Sequence, residues 1–147
     1  MLIKIDAFDH DAPMTPALWE RVVHFNLFED WGDPYKMRVW LLYYLDAFRA
    51  YIDPHKLVVH CGWEIRDKGW HPAGAAVDLH CPTIKYDELA YLAMQFPFTG
   101  IGLYPYWNSP GLHLDVRPLL LDSRRRVWWL DYGKYRNINN IHDFIAV

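Results

Sequence analysis

The run His71-Pro-Ala-Gly-Ala-Ala-Val-Asp78-Leu-His80 couples an imidazole to a carboxylate across small residues. Gly74 and Ala76 let the backbone turn tightly and pass close to a bulky neighbour, and Ala76-Val-Asp-Leu-His reads as the start of a strand. Alternation along a strand puts Ala76, Asp78 and His80 on one face. Far downstream, Gly111-Leu-His113-Leu-Asp115-Val-Arg117 is a second strand-like run in which His113 and Asp115 share a face. Two histidines and one carboxylate converging from separate segments suit one Zn²⁺, whose catalytic sites take three protein ligands and leave a position for water. Spacing alone does not establish such a site, because 8 histidines in 147 residues make accidental His/Asp pairs common. A solitary His71 would ordinarily be a hydrogen-bonded surface or core residue.

The pattern His71-x-x-Gly74-x-Ala76-x-Asp78, then Gly100-Ile-Gly102-Leu-Tyr104-Pro105, then Leu112-His113-Leu-Asp115, resembles the zinc D-alanyl-D-alanine carboxypeptidase family. That family also contains phage L-alanyl-D-glutamate endopeptidases, and its fold is shared by lysostaphin-type enzymes and the hedgehog signalling domain. The resemblance runs from about Phe25 to Trp129, with His24-Phe-Asn-Leu-Phe-Glu-Asp similar to a segment common in the family. It implies a single Zn²⁺ held by His71, Asp78 and His113.

Two departures bear on the chemistry. Where relatives have a Ser-Gly-Tyr-Arg-like turn, whose arginine is thought to bind a substrate carboxylate or stabilise the transition state, this chain has Cys61-Gly62-Trp63-Glu64, with Arg66 after it. Arg66 either takes over that role or is an exposed loop arginine. Relatives often place a general base a few residues before the last ligand, and here Pro110 stands there and cannot serve. Asp115 is the nearest carboxylate; it is either the base or the acceptor for the second N–H of His113. Glu64 and Asp67 are the alternative bases. His60 and His80 flank the ligands as substrate contacts or structural histidines. Tyr106 and Trp107, in a turn-rich loop, are candidates for substrate binding, while most other aromatics are expected to fill the core.

A chain of 147 residues is read as one domain, 1–147, long enough to bury a core. At 52% hydrophobic and 17% aromatic residues, disorder is excluded. A net charge of −3, with Arg124-Arg125-Arg126 the one basic cluster, argues against nucleic acid as a partner. The longest apolar runs, such as 40–45, fall far short of the ~18 residues of a membrane span. Met1-Leu-Ile-Lys-Ile-Asp lacks the apolar core of a signal peptide. The expectation is cytoplasmic synthesis, with another factor, such as a phage holin, needed to reach a wall substrate. A monomer is expected. For Cys61 and Cys81, buried free thiols rank first, a disulfide second and metal ligation third.

The elements that would carry these residues can be read coarsely. Thr15-Pro16 opens a short helix to about Val23, and Asp33-Pro34 opens the longest helix, to about Ile52. Its apolar stripe includes Val39, Leu42, Leu45 and Phe48. Lys56–Gly62 is a strand, Thr83–Phe96 a second helix packed across the sheet, and 100–104, 111–117 and 127–132 are further strands; a last helix runs from about Ile138 to Ile145. This is an α+β domain with a mainly antiparallel sheet of four to six strands, hedgehog/D-Ala-D-Ala-peptidase-like.

The leading functional expectation, carried by the resemblance, is a zinc peptidase, carboxypeptidase or endopeptidase, cutting peptidoglycan stem peptides at bonds involving D-amino acids. A phage or prophage endolysin is one such setting. The alternative is a zinc-containing peptidoglycan-binding module with impaired catalysis, and a third reading is a phage structural protein without metal.

Overall fold

The computed structural model describes residues 12–117 and 124–139. The chain passes through α1 (Pro16–Trp19), a 3-10 turn (Pro34–Lys36), α2 (Val39–Tyr51), β1 (Val58–Cys61), β2 (Ala76–His80), α3 (Tyr86–Ala93), β3 (Gly100–Tyr104), β4 (Gly111–Asp115), β5 (Arg126–Asp131) and β6 (Lys134–Asn137). The strands form a 6-stranded sheet in the order β1-β2-β4-β3-β5-β6. Neighbours are antiparallel except β3 and β5, which are parallel. The α+β class therefore holds, with a mixed, mostly antiparallel sheet.

Side-chain alternation divides the sheet into two faces. Val77, Leu79, Leu112 and Leu114 are fully buried and join Leu41, Leu42, Leu45 and Phe48 of α2 and Leu89, Ala90 and Ala93 of α3 in one core. Each such leucine or phenylalanine contributes about 1.5–3 kcal/mol when fully buried. The residues between them, Asp78 and His113, point the other way and are half-buried. Stability thus resides on the helical face, and the polar chemistry rides on its back.

The long helix expected from Pro34 to Ile52 is not one helix. Asp33 caps only a 3-10 turn, accepting a hydrogen bond from the Tyr35 N–H at 3.0 Å. Met37 and Arg38 are then extended, and α2 begins at Val39 with no side-chain cap. Tertiary pairing outcompetes helix continuation there. Arg38 N–H donates to Gly74 O at 2.9 Å, Met14 N–H to Met37 O at 2.8 Å, and Pro13 bridges Arg38. That contact ties α2 to the turn leading into β2. The first helix also ends early, at Trp19, because the buried Asp46 carboxylate accepts the N–H groups of Val23 (3.1 Å) and His24 (2.8 Å).

Sequence reasoning missed β6. It pairs with β5 through a turn at Tyr132-Gly133, both at positive φ (47° and 83°), the conformation of a type I′ hairpin. Every residue of β6 is exposed, so no alternation announced it. The helix expected over 138–145 lies almost wholly outside the described residues. Among the described residues, no helix is long and apolar enough to cross a membrane.

Candidate metal centre

Strand register brings Asp78 and His113 together. They are direct partners across the antiparallel β2–β4 pair, so their side chains leave the same face. His71 arrives from the loop between β1 and β2. That loop follows an irregularity between Val59 and Cys61, which redirects the chain so that the Gly62 carbonyl meets the imidazole. Asp78 Oδ1 ends 3.3 Å from His71 Nε2 and 3.2 Å from His113 Nδ1. The two rings are 5.2 Å apart at an interplanar angle of 66°.

The far nitrogens define the chemistry of the near ones. His71 Nδ1 is 2.6 Å from Gly62 O; a carbonyl only accepts, so Nδ1 carries the proton. His113 Nε2 is 2.8 Å from Asp115 Oδ2, which likewise makes it the donor. Each ring therefore turns its remaining nitrogen toward the same carboxylate oxygen. His71 Nε2 is buried and has no hydrogen-bond partner. Three electron-rich atoms facing one another need positive charge between them, as second protons or as a cation. Without a cation the rings hold protons tightly. Burial opposes the charged form of His71, but its pairing with the Asp78 carboxylate and its contacts with Cys61 and the Gly62 carbonyl outweigh it and push its pKa up to about 9. His113 follows the same pattern, with burial opposed by Asp115 and Asp78, and also rises to about 9. Burial would raise Asp78, yet His113 and His71 hold it well below the usual carboxylate range. Neutral imidazoles with fixed tautomers and an ionised aspartate are a donor set that fits Zn²⁺.

Asp115 is fully buried behind His113. Its Oδ1 accepts from Thr99 Oγ1 (3.1 Å) and Arg117 Nε (3.3 Å), and its Oδ2 from His113. The glycines of β3 make room for this arrangement. A Cβ on Gly100 would lie 2.1 Å from Asp115 Oδ2, and one on Gly102 would lie 2.6 Å from the Trp128 ring. That ring flanks His113, with centroids 5.3 Å apart.

Among the described residues, the one trio of possible ligand atoms lying close together includes Cys61 in place of His113. The Cys61 Sγ, with His71 and Asp78, places ligand atoms within 4.8 Å of one another. The nearer His71 nitrogen, at 3.8 Å, is however Nδ1, already committed to Gly62. The thiol also lies 3.6 Å from Glu64 Oε2 and 3.7 Å from Arg66 Nη2. Glu64 and Arg66 form an ion pair, and Arg66 Nη2 reaches to 3.8 Å from Asp78 Oδ2. The hydrogen bond from Arg66 keeps the exposed Glu64 carboxyl below its ordinary pKa. Cys61 and Cys81 are both free thiols.

Two open cavities border this centre. One, of about 430 Å³, is lined by His71, His113, Arg66, Arg117, Trp70, Tyr104, Trp128 and Tyr135 among others. The other, of about 440 Å³, is lined by His60, Asp78, Trp107, Asn108 and Ser109. Trp107 stacks on Tyr104 at 4.4 Å and 13°, and His60 stacks on His80 at 4.7 Å. Tyr106 stands apart: it is exposed and packs against Tyr132 at 5.0 Å, lining neither cavity. Asp67 is exposed and lines neither. Of the residues singled out in the sequence, the fold gathers His71, Asp78, His113, Asp115, Glu64, Arg66, His60 and Trp107 around one centre. The Gly62 carbonyl, Thr99, Arg117 and Trp128 were not anticipated.

A model of the Peptidase_M15_2 family, described as peptidoglycan L,D-endopeptidase MepK, matches residues 9–121, and the chain belongs to this family. No curated protein matches the sequence. The match takes in all four residues of the His71/Asp78/His113/Asp115 constellation and stops short of β5 and β6.

Proposed function

We propose that this member of the Peptidase_M15_2 family is a zinc-dependent endopeptidase acting on peptidoglycan stem peptides, at amide bonds that involve D-amino acids. His71 Nε2, Asp78 and His113 Nδ1 would hold one Zn²⁺. The observation that carries the reading is the pair of fixed tautomers: Gly62 O and Asp115 take the far protons, so both near nitrogens address a single Asp78 oxygen. Zinc in such a site lowers the pKa of a bound water to about 7 and polarises a carbonyl.

The chain's own groups supply the rest. Asp115, with both oxygens occupied and no exposure, orients His113 and fixes its tautomer; it has no free lone pair directed at solvent with which to act as base. Glu64 is the exposed carboxylate at the rim, ionised through its pairing with Arg66, and is assigned the proton acceptor. Arg66, placed beside Asp78, supplies positive charge toward a developing oxyanion. Two separate cavities bordering the centre, and the endopeptidase description of the family, favour cutting within a peptide over trimming its end. Trp107 and His60 line one of them as contacts for the peptide.

Purified murein incubated with the protein should release peptide fragments; EDTA should abolish this and Zn²⁺ restore it. Cleavage that persists in metal-free protein would overturn the proposal. A second reading, a metal-holding module that binds peptidoglycan without cutting it, is favoured by Pro110, which leaves no carboxylate just before His113. Stoichiometric zinc and saturable binding with no cleavage would select it.

A further inference from the structure

Arg117 lies two residues beyond the end of β4, and its guanidinium is only half used. Nε–H donates to Asp115 Oδ1 at 3.3 Å, and Cζ lies 5.8 Å from the centroid of the Trp70 ring. The side chain is only 12% exposed. Its terminal Nη groups make no hydrogen bond among the described residues, although they belong to a side chain that is largely enclosed. Neither Nη is among the buried polar atoms that lack a partner, so these donors are accessible, and an acceptor entering the cavity that Arg117 lines can reach them.

That cavity is the one of about 430 Å³ beside His71 and His113, which Arg66 also lines. Its one carboxylate, Asp115, has both oxygens engaged. The other cavity has no lysine or arginine in its lining. Charge therefore differs between the two cavities: arginines line the first, and the Asp78 carboxylate with His60, Trp107, Asn108 and Ser109 lines the second. Of the other two arginines lining the first cavity, Arg126 is exposed and Arg66 has its Nε taken by Glu64 and a side chain 41% exposed, which makes both poorer anchors.

We infer that Arg117 anchors a free carboxylate of the substrate in the cavity beside His113, so that the preferred peptide bears a carboxylate on a residue adjoining the scissile amide. The inference rests on the peptidase reading above and narrows its substrate class. The two Nη groups match a carboxylate in a bidentate fork. Trp70 and Asp115 hold the guanidinium plane before any ligand arrives, so little side-chain freedom is lost on binding. Anchoring one carboxylate sets the register of the peptide, which decides which amide lies over Asp78 and the two histidines.

The test uses two synthetic stem-peptide fragments identical except that the residue flanking the scissile bond carries a free carboxylate or a carboxamide. Cleavage of both is measured with zinc-loaded full-length protein, wild type, Arg117→Lys and Arg117→Gln, with zinc content determined for each. An N-methylated, uncleavable version of each peptide gives binding by calorimetry. Wild type should prefer the acid by roughly ten- to hundredfold in kcat/KM and in binding, the range of a hydrogen bond to a charged partner. Arg117→Gln should keep its zinc while that preference falls to within about threefold, and Arg117→Lys should keep part of it. Equal affinity of wild type for both peptides, or an undiminished preference in Arg117→Gln, would overturn the inference. So would a loss of zinc with equal damage to both substrates, which would make Arg117 a brace for Asp115. If neither peptide is cut, the peptidase reading fails, and the calorimetric preference alone still decides the carboxylate anchor.

Discussion

Replacing Asp115 with asparagine tests the logic of the centre without touching a proposed ligand. The change is nearly isosteric but swaps one acceptor oxygen for an NH₂ donor. If the new oxygen faces His113, the NH₂ confronts the Arg117 Nε–H that now donates to Oδ1 at 3.3 Å, donor against donor. If the NH₂ faces His113, it meets the Nε2–H that now donates at 2.8 Å, and relief requires the ring to move its proton to Nδ1. That proton would occupy the lone pair directed at Asp78. Thr99 can adapt, because a hydroxyl rotates to accept; a guanidinium cannot. Either arrangement weakens the site. Loss of such an orienting partner costs about 10–100-fold in metal affinity, or about 1.4–2.7 kcal/mol. The assay is competition for Zn²⁺ against a chromophoric chelator at pH 7.5, with a parallel thermal melt in excess chelator to score folding. Asp115→Asn should fold and bind zinc in that weakened range. Zinc affinity within about twofold of wild type would show that the proton on His113 does not matter, and the tautomer argument would fail with it.

Three further outcomes follow from the same geometry. His71 and His113 have pKa values of about 9 against an ordinary 6.5, so their contribution to the metal-free fold is complete below pH 6.5 and fades as pH climbs to about 9. Asp78, shifted down from 3.8, contributes above that value and is lost as pH falls below it. In chelator the Tm should therefore decline from pH 6 to pH 9, while the increment added by Zn²⁺ widens as the competing protons leave; an increment that stays flat across this range would refute the account. Gly102→Ala would place a methyl 2.6 Å from the Trp128 ring and should cost about 1–3 kcal/mol by urea denaturation; unchanged stability would refute the packing argument. Glu64→Gln should retain zinc but lose about 10²–10⁴-fold in kcat on murein fragments, and full activity would remove Glu64 from the reaction.

What could be read from sequence follows from which features side-chain type encodes. His71, Asp78 and His113 were visible as residue types at intelligible positions, and strand alternation put Asp78 with His80, and His113 with Asp115, on one face of each strand; that these faces turn away from the core came from the fold. The groups that fix their tautomers were not equally visible. Gly62 acts through its carbonyl, which every residue has, and Thr99 acts through a hydroxyl in an unremarkable stretch before β3. Arg117 looked like any strand-end arginine until the fold laid it over Trp70. The split of the expected long helix was hidden for a related reason. Val39–Tyr51 carries the helical stripe, but the interruption at Met37-Arg38 comes from pairing with Met14 and Gly74, distant partners that no local pattern contains. Tyr106 misled in the other direction, since a tyrosine in a turn-rich loop is as able to pack on a hairpin tip, Tyr132, as to line a cleft.

The proposed metal ligands and the walls of the cleft come from different parts of the chain. Every proposed ligand, and each group that orients one, lies between Gly62 and Arg117, all inside the stretch matched to the family. These positions are mutually constrained. Moving Asp115 disturbs His113, and filling Gly100 expels Asp115. The outer wall is different. Trp128 and Tyr135 stand on the β5–β6 hairpin, beyond the matched residues, and β6 is exposed along its whole length. Few packing constraints bear on such a strand, so its side chains can vary at little cost to the fold. Changes at Tyr135 should therefore alter which peptide is accepted while leaving zinc affinity untouched, whereas changes at Thr99 should do the reverse. Zinc binding that weakened in Tyr135→Ala as much as in Thr99→Val would mean that the hairpin is part of the centre and not its wall.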